Sequence, residues 1–89
     1  MACRAMARIH AREDDPRGVQ RWLARADENA ARRESAHEQA VNVLCKAEIA
    51  LDQRQDRRAG QLLDAVMPQF VAMGMHWHRE RSALLLQRL

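Results

Sequence analysis

The sequence predicts an all-α chain, about five helices arranged as antiparallel helix-hairpin repeats within 89 residues. Three observations lead there. Alanine, leucine, arginine, glutamate and glutamine dominate, all strong helix formers, whereas a sheet wants aromatic and β-branched residues, and there is no tyrosine and one phenylalanine. Apolar residues recur at helical spacing. Short clusters of turn and cap residues interrupt that pattern at intervals too brief for long rods.

The breaks set the helices at about 2–13, 16–33, 36–53, 57–73 and 76–88. The first break is Glu13-Asp14-Asp15-Pro16-Arg17-Gly18. Asp15 can accept hydrogen bonds from free amides at a helix start, and Pro16 suits the first helical position, where an N–H is not needed. The second is Ser35-Ala36-His37-Glu38, which fits the S-x-x-E capping box. The third is Gln53-Arg54-Gln55-Asp56, with Asp56 or Gln55 as cap. A fourth lies at Met73-Gly74-Met75, where Gly74 can take the left-handed conformation that ends a helix. Short connections make the helices antiparallel neighbours.

The apolar stripes follow. They are Val19, Trp22, Leu23, Ala26 and Ala30 in the second helix, and Ala40, Val43, Leu44, Ala47 and Leu51 in the third. In the fourth they are Ala59, Leu62, Leu63, Val66, Phe70 and Met73. Pro68 lies inside the fourth helix, where it removes one backbone bond and is expected to kink it. The whole reads as one domain, 1–89: a first hairpin over about 2–33, a second over about 36–73 and a last helix over about 76–88.

An internal repeat underlies this order. Sliding the chain by 40 residues lays Asp14-Asp15 on Arg54-Gln55 and Glu34-Ser35 on Gly74-Met75. Trp22 meets Leu62, Leu23 meets Leu63, Ala26 meets Val66, Ala30 meets Phe70, Leu44 meets Leu84, and Ile49 meets both Ile9 and Leu89. What repeats is the phase of stripe and turn, not residue identity. Residues 47–77, AEIALDQRQDRRAGQLLDAVMPQFVAMGMHW, resemble a tetratricopeptide (TPR)-family hairpin. Ala47 and Ala50 stand as the small residues of its first helix and Ala59 as the alanine opening its second. Leu63 and Val66 stand at later packing positions, and Phe70 with Met73-Gly74 forms the ending. Residues 7–34 look like a weaker copy, with Asp15 as the turn aspartate and Val19 at the alanine position. Arg54-Gln55 replaces the family's Gly-Asp turn, and Glu34 replaces its glycine. A period near 40 is similar to the helical arrays of large LuxR-type (maltose-regulator-like) transcription regulators and related signalling ATPases. The resemblance implies a module that holds partner proteins or peptides on a concave surface, or relays ligand state within a larger regulator.

Charge and cysteine usage narrow the classes. The net charge is +3, and fourteen of the fifteen cations are arginine, a bias that suits a high-GC bacterial genome as well as any function. Cations and anions are interspersed, with no one-sided run of the kind a nucleic-acid arm needs. Cys3 and Cys45 form no metal-ligand spacing. The start, MACRAMARIHARED, lacks the continuous apolar stretch of a signal peptide, and no run approaches a membrane span. A cytoplasmic protein with reduced thiols is expected.

If the first helix of each hairpin lines the concave side, as the resemblance implies, Arg4, Arg8 and Arg12 share one stripe at four-residue spacing. Glu48 and Asp52 continue it from the third helix, and Arg81 and Arg88 from the fifth. Guanidinium groups there would suit partner carboxylates or phosphates, which they bind bidentately; the plainer reading is a solvated, salt-bridged face. His76-Trp77-His78 with Glu80 puts only His76 and Glu80 on one side of a helix, with His10 and His37 elsewhere, so no metal is expected. Trp22 reads as core packing. Met1, Met6, Met67, Met73 and Met75 read as gap filling, and Cys45 as a small buried hydrophobe. No nucleophile–base pairing and no phosphate-cradling glycine loop is present, so neither catalysis nor a cofactor is expected.

The last helix ends Ser82-Ala83-Leu84-Leu85-Leu86-Gln87-Arg88-Leu89, apolar on more than one face. Solenoid ends need polar caps, so further repeats of a parent protein, or a second subunit, are expected to cover it. The leading expectation is a protein–protein interaction module. Its rivals are a small basic helical nucleic-acid binder, marked by steep salt dependence, and a homo-oligomeric structural bundle associating through the last helix.

Overall fold

A computed structural model describes residues 3–89. Met1, and residue 2, the predicted first residue of the opening helix, lie outside the described residues. Among the described residues there are five α-helices and no strand: α1 Cys3–Arg12, α2 Pro16–Arg32, α3 Ala36–Asp52, α4 Asp56–Ala72 and α5 His76–Gln87. Apart from the start of α1, every boundary falls within one residue of its predicted place. α1 packs against α2, and α4 against α5.

The four connections are one device used four times. Each of the first four helices ends in a Schellman turn, in which two backbone amides past the end fold back onto carbonyls of the last turn. The outer bonds run from Asp15 to His10, Ser35 to Ala30, Gln55 to Ala50 and Met75 to Phe70, at 2.8–2.9 Å. The inner bonds run from Asp14 to Ala11, Glu34 to Ala31, Arg54 to Leu51 and Gly74 to Val71, at 3.0–3.2 Å. The residue at the bend has positive φ every time: Asp14 at 54°, Glu34 at 52°, Arg54 at 59° and Gly74 at 67°. The turns therefore recur at a fixed interval of twenty residues, half the repeat found in the sequence. Only Gly74 takes this conformation without the clash between Cβ and carbonyl, which costs a side-chain-bearing residue on the order of 1 kcal/mol.

The residue after each bend starts the next helix, and here the turns differ. Asp15 accepts from the Gly18 amide at 3.1 Å, and Ser35 Oγ accepts from the Glu38 amide at 3.1 Å. Gln55 and Met75 make no side-chain cap bond. The predicted capping box forms by half. The Ser35 amide is already committed to Ala30, so the Glu38 carboxylate takes the Arg33 guanidinium instead, at 3.3 Å. Asp56 sits inside the first turn of α4, where its charge favours the positive end of the helix. α4 runs unbroken through Pro68. The Asp64 carbonyl, which the proline leaves without an intrahelical donor, lies on the exposed side, where water can satisfy it.

The packing divides into two compact units, one ending at Asn42 and one covering Val43–Leu89. In the first, the buried side of α2 is Val19, Leu23, Ala26 and Ala30. In the second, the buried side of α4 is Ala59, Leu63, Val66 and Phe70. These are the same four positions forty residues on, and the offset predicts them; Trp22, Leu62 and Met73 of the predicted stripes are only half-buried.

α3 is buried along two opposite faces, Ala40-Leu44-Ala47 and Asn42-Cys45-Ile49; of its predicted stripe, Val43 and Leu51 are half-buried. Its counterparts keep one face each. In α5, Ser82 and Leu85 are buried, whereas Glu80, Leu84 and Gln87 are exposed. In α1, Ala7 is buried, while Ala5 and Ile9 are exposed.

Candidate functional site

In the first unit one member of the arginine stripe, Arg4, is drawn into the fold. Arg4 donates from Nη1 to Asn42 Oδ1 at 2.7 Å, and Asn42 Nδ2 donates onward to Asp27 Oδ1 at 3.2 Å. Asn42 is fully buried, so both ends of its amide require partners; an unpaired one would cost about 1–3 kcal/mol. Arg4 is a structural donor before it is a ligand. Arg8 is half-buried, and Arg12, one turn on, is exposed.

Beside Arg4 lies a small polar cleft lined by Cys3, Ala26, Asn29, Arg33 and Glu38, with a volume of about 20 Å³. That is room for roughly one water molecule. Asn29 Nδ2 reaches Cys3 Sγ at 3.5 Å. The cleft is too small for an organic ligand.

The α1–α2 turn carries the tightest electrostatics. His10 Nδ1 and Asp15 Oδ2 are 2.9 Å apart, and the other Asp15 oxygen accepts from the Gly18 amide. That backbone bond, and then the bond with His10, hold the Asp15 carboxyl below its usual range. Gly18 is the reason the pair fits: a Cβ there would lie 2.4 Å from His10 Nδ1 and 2.5 Å from Asp15 Oδ2.

In the second unit, Glu48 and Arg81 meet. Arg81 donates from Nε at 3.3 Å and from Nη2 at 3.1 Å, both to Glu48 Oε2. The fork grips one oxygen of the carboxylate. The pair is partly shielded, with side-chain exposures of 40% for Arg81 and 17% for Glu48. Asp52 and Arg88 are exposed. Of the seven charged residues singled out in the sequence, Arg4 and Arg81 thus donate to groups of the chain itself, while Arg12, Asp52 and Arg88 present open side chains.

The remaining motifs resolve individually. His78 packs its ring on Phe70, with centroids 5.3 Å apart, and meets Trp77 edge-on at 5.1 Å. Trp77 is 68% exposed. The Arg25 guanidinium lies 5.1 Å over the ring of the half-buried Trp22, a cation–π contact. Among the described residues no three His, Cys, Asp or Glu side chains converge on a point where a metal could sit. Neither Cys3 nor Cys45 is in a disulfide, and Cys45 is buried. No helix among the described residues is long and apolar enough to cross a membrane.

Sequence reasoning missed Asn42 and Ser82, the two buried polar residues among those described, which stand forty apart. Ser82 Oγ donates to the His78 carbonyl at 2.8 Å, one turn back in its own helix. The repeat offset pairs these two positions and could have marked them. No family model matches the chain, and no curated protein or solved structure matches it either.

Proposed function

We propose that this chain is a TPR-like helix-hairpin repeat module that holds another protein or peptide, and that it performs no catalysis. The observation that carries the reading is the recurrence of structure without recurrence of residue type. Four turns of the same backbone form stand twenty residues apart, and α2 and α4 bury the same four positions. Repetition of one backbone plan leaves the exposed side chains free to vary, which is how repeat proteins diversify their binding surfaces. The forty-residue period supports a finer reading: a part or a relative of a bacterial LuxR-type transcription regulator or signalling ATPase. Free thiols agree with a cytoplasmic setting.

The contact residues in this reading are Arg8 and Arg12 of the first unit. An array of acidic, neutral and basic peptides tests it. The native chain should retain acidic peptides, and Arg8→Glu with Arg12→Glu should release them by tenfold or more at unchanged helicity, since each reversal replaces attraction with repulsion. Retention that ignores the double reversal, in the array or in a pull-down, contradicts the assignment.

A further inference from the structure

We infer that the open face of α5 is a self-association surface on which a second copy of this chain docks, antiparallel, about a two-fold axis through Leu84. The face is defined by comparison within the molecule. Its counterpart on α3, Ala40-Leu44-Ala47, is buried. On α5 the same positions are Glu80, Leu84 and Gln87, and all three are exposed, Leu84 at 55%. Trp77 stands seven residues before Leu84 on the same stripe, and at 68% it is the most exposed large apolar side chain described. Exposed tryptophans of this kind anchor interfaces.

The residue types say what covers the face. A following repeat helix would bury alanine-sized neighbours, as Ala40 and Ala47 are buried on α3. Here it would bury a glutamate and a glutamine, groups that need partners when desolvated. A second α5 supplies one of those partners. Glu80 lies four residues before Leu84 and Arg88 four residues after, on one stripe. In an antiparallel pair crossing at Leu84, Glu80 of each copy faces Arg88 of the other, twice over. Gln87 falls beside the opposing Arg81, and Trp77 lies over the far end of the opposing helix. The surface is complementary to itself, which an isologous two-fold contact requires. One helix face makes a small interface, below about 1,200 Å² and therefore weak, and its ion pairs weaken with salt.

The contact uses α5, so it stands or falls separately from the Arg8–Arg12 reading, whose test leaves α5 intact. Sedimentation of the full chain up to about 1 mM should show a monomer–dimer equilibrium that stops at two copies. Glu80→Arg and Arg88→Glu, each alone, should lower the association constant at least tenfold, because each sets like charges across the axis twice. Mixing the two variants in equal amounts should restore association as a heterodimer, and the doubly reversed chain should dimerise with itself. Leu84→Asp should abolish dimers at unchanged helicity. The inference is overturned by a native chain that stays monomeric at the highest concentration, by open-ended growth, or by a mixture of the two reversals that does not associate. It is equally overturned if a peptide of residues 56–72, carrying the α4 stripe, binds this face, for then a following repeat helix is its occupant.

Discussion

The two units fill equivalent positions with unequal means. Where α4 buries Leu63, Val66 and Phe70, α2 buries Leu23, Ala26 and Ala30. The first unit thus has less apolar volume to bury, and it is fastened by polar contacts: His10 to Asp15, Asp15 to Gly18, Arg4 to Asn42 to Asp27, and Ser35 capping α3. The second unit has bulk and leaves the starts of α4 and α5 without side-chain caps. Burial of apolar area is non-directional and tolerates varied sequence, whereas a hydrogen-bonded turn depends on particular atoms. One backbone plan can therefore be held by packing in one place and by polar geometry in another.

The largest effect that separates the two regimes is removal of the aromatic anchor. Phe70→Ala should cost about 3–5 kcal/mol in chemical denaturation, as deletion of a fully buried ring does. The equivalent site in the first unit is already alanine. A cost under about 1 kcal/mol would mean that Phe70 is not packed as described.

Next come the two helical glycines, which should respond with opposite signs. Gly18→Ala drives a methyl into the His10–Asp15 pair and should destabilise the chain, because one of those two groups must move. Gly60→Ala meets only the end of Leu89, at 3.4 Å, and should stabilise by roughly 0.5–1 kcal/mol through helix propensity. Equal responses would erase the distinction between the units. Smaller again are the turns. Glu34→Gly and Arg54→Gly should each raise stability by up to about 1 kcal/mol by removing the left-handed strain, and Gly74→Ala should lower it by a similar amount. Thermal melts of the three variants read this directly.

The smallest effect is acid sensitivity in the first unit. Asp15 is held below its ordinary value of 3.8. A depressed carboxyl contributes stability that is fully present above the unfolded pKa and is lost as pH falls through the folded one. Stability should therefore decline below about pH 4, and less steeply in Asp15→Asn, when followed by denaturant melts across that range. An identical decline in the variant would remove Asp15 from the explanation.

The helices and their ends were legible because cap and turn residues sit at the breaks: Asp15-Pro16 before α2, Ser35 before α3, and Gly74 after α4. The stripes of α2 and α4 were legible because periodicity records one buried face. Three things were not. Nothing in Glu34 or Arg54 announces positive φ, since the fold imposes it against their preference; Asp14 alone of the three is a residue type that visits that region readily. The second buried face of α3 was hidden because Asn42 reads as a solvent residue until Arg4 and Asp27, 38 and 15 positions away, are seen to hold it. The Arg81–Glu48 pair, 33 positions apart, is invisible for the same reason. Periodicity reports which side of a helix is covered, and it is silent on which distant group does the covering.

The architecture rests on a turn that recurs every twenty residues, and backbone resonance assignment by NMR measures it most directly. Tandem hairpins require left-handed shifts and couplings at Asp14, Glu34, Arg54 and Gly74, with helical values on both sides of each. Helical values continuing through any one of those four residues would join two helices into a rod and contradict the repeat.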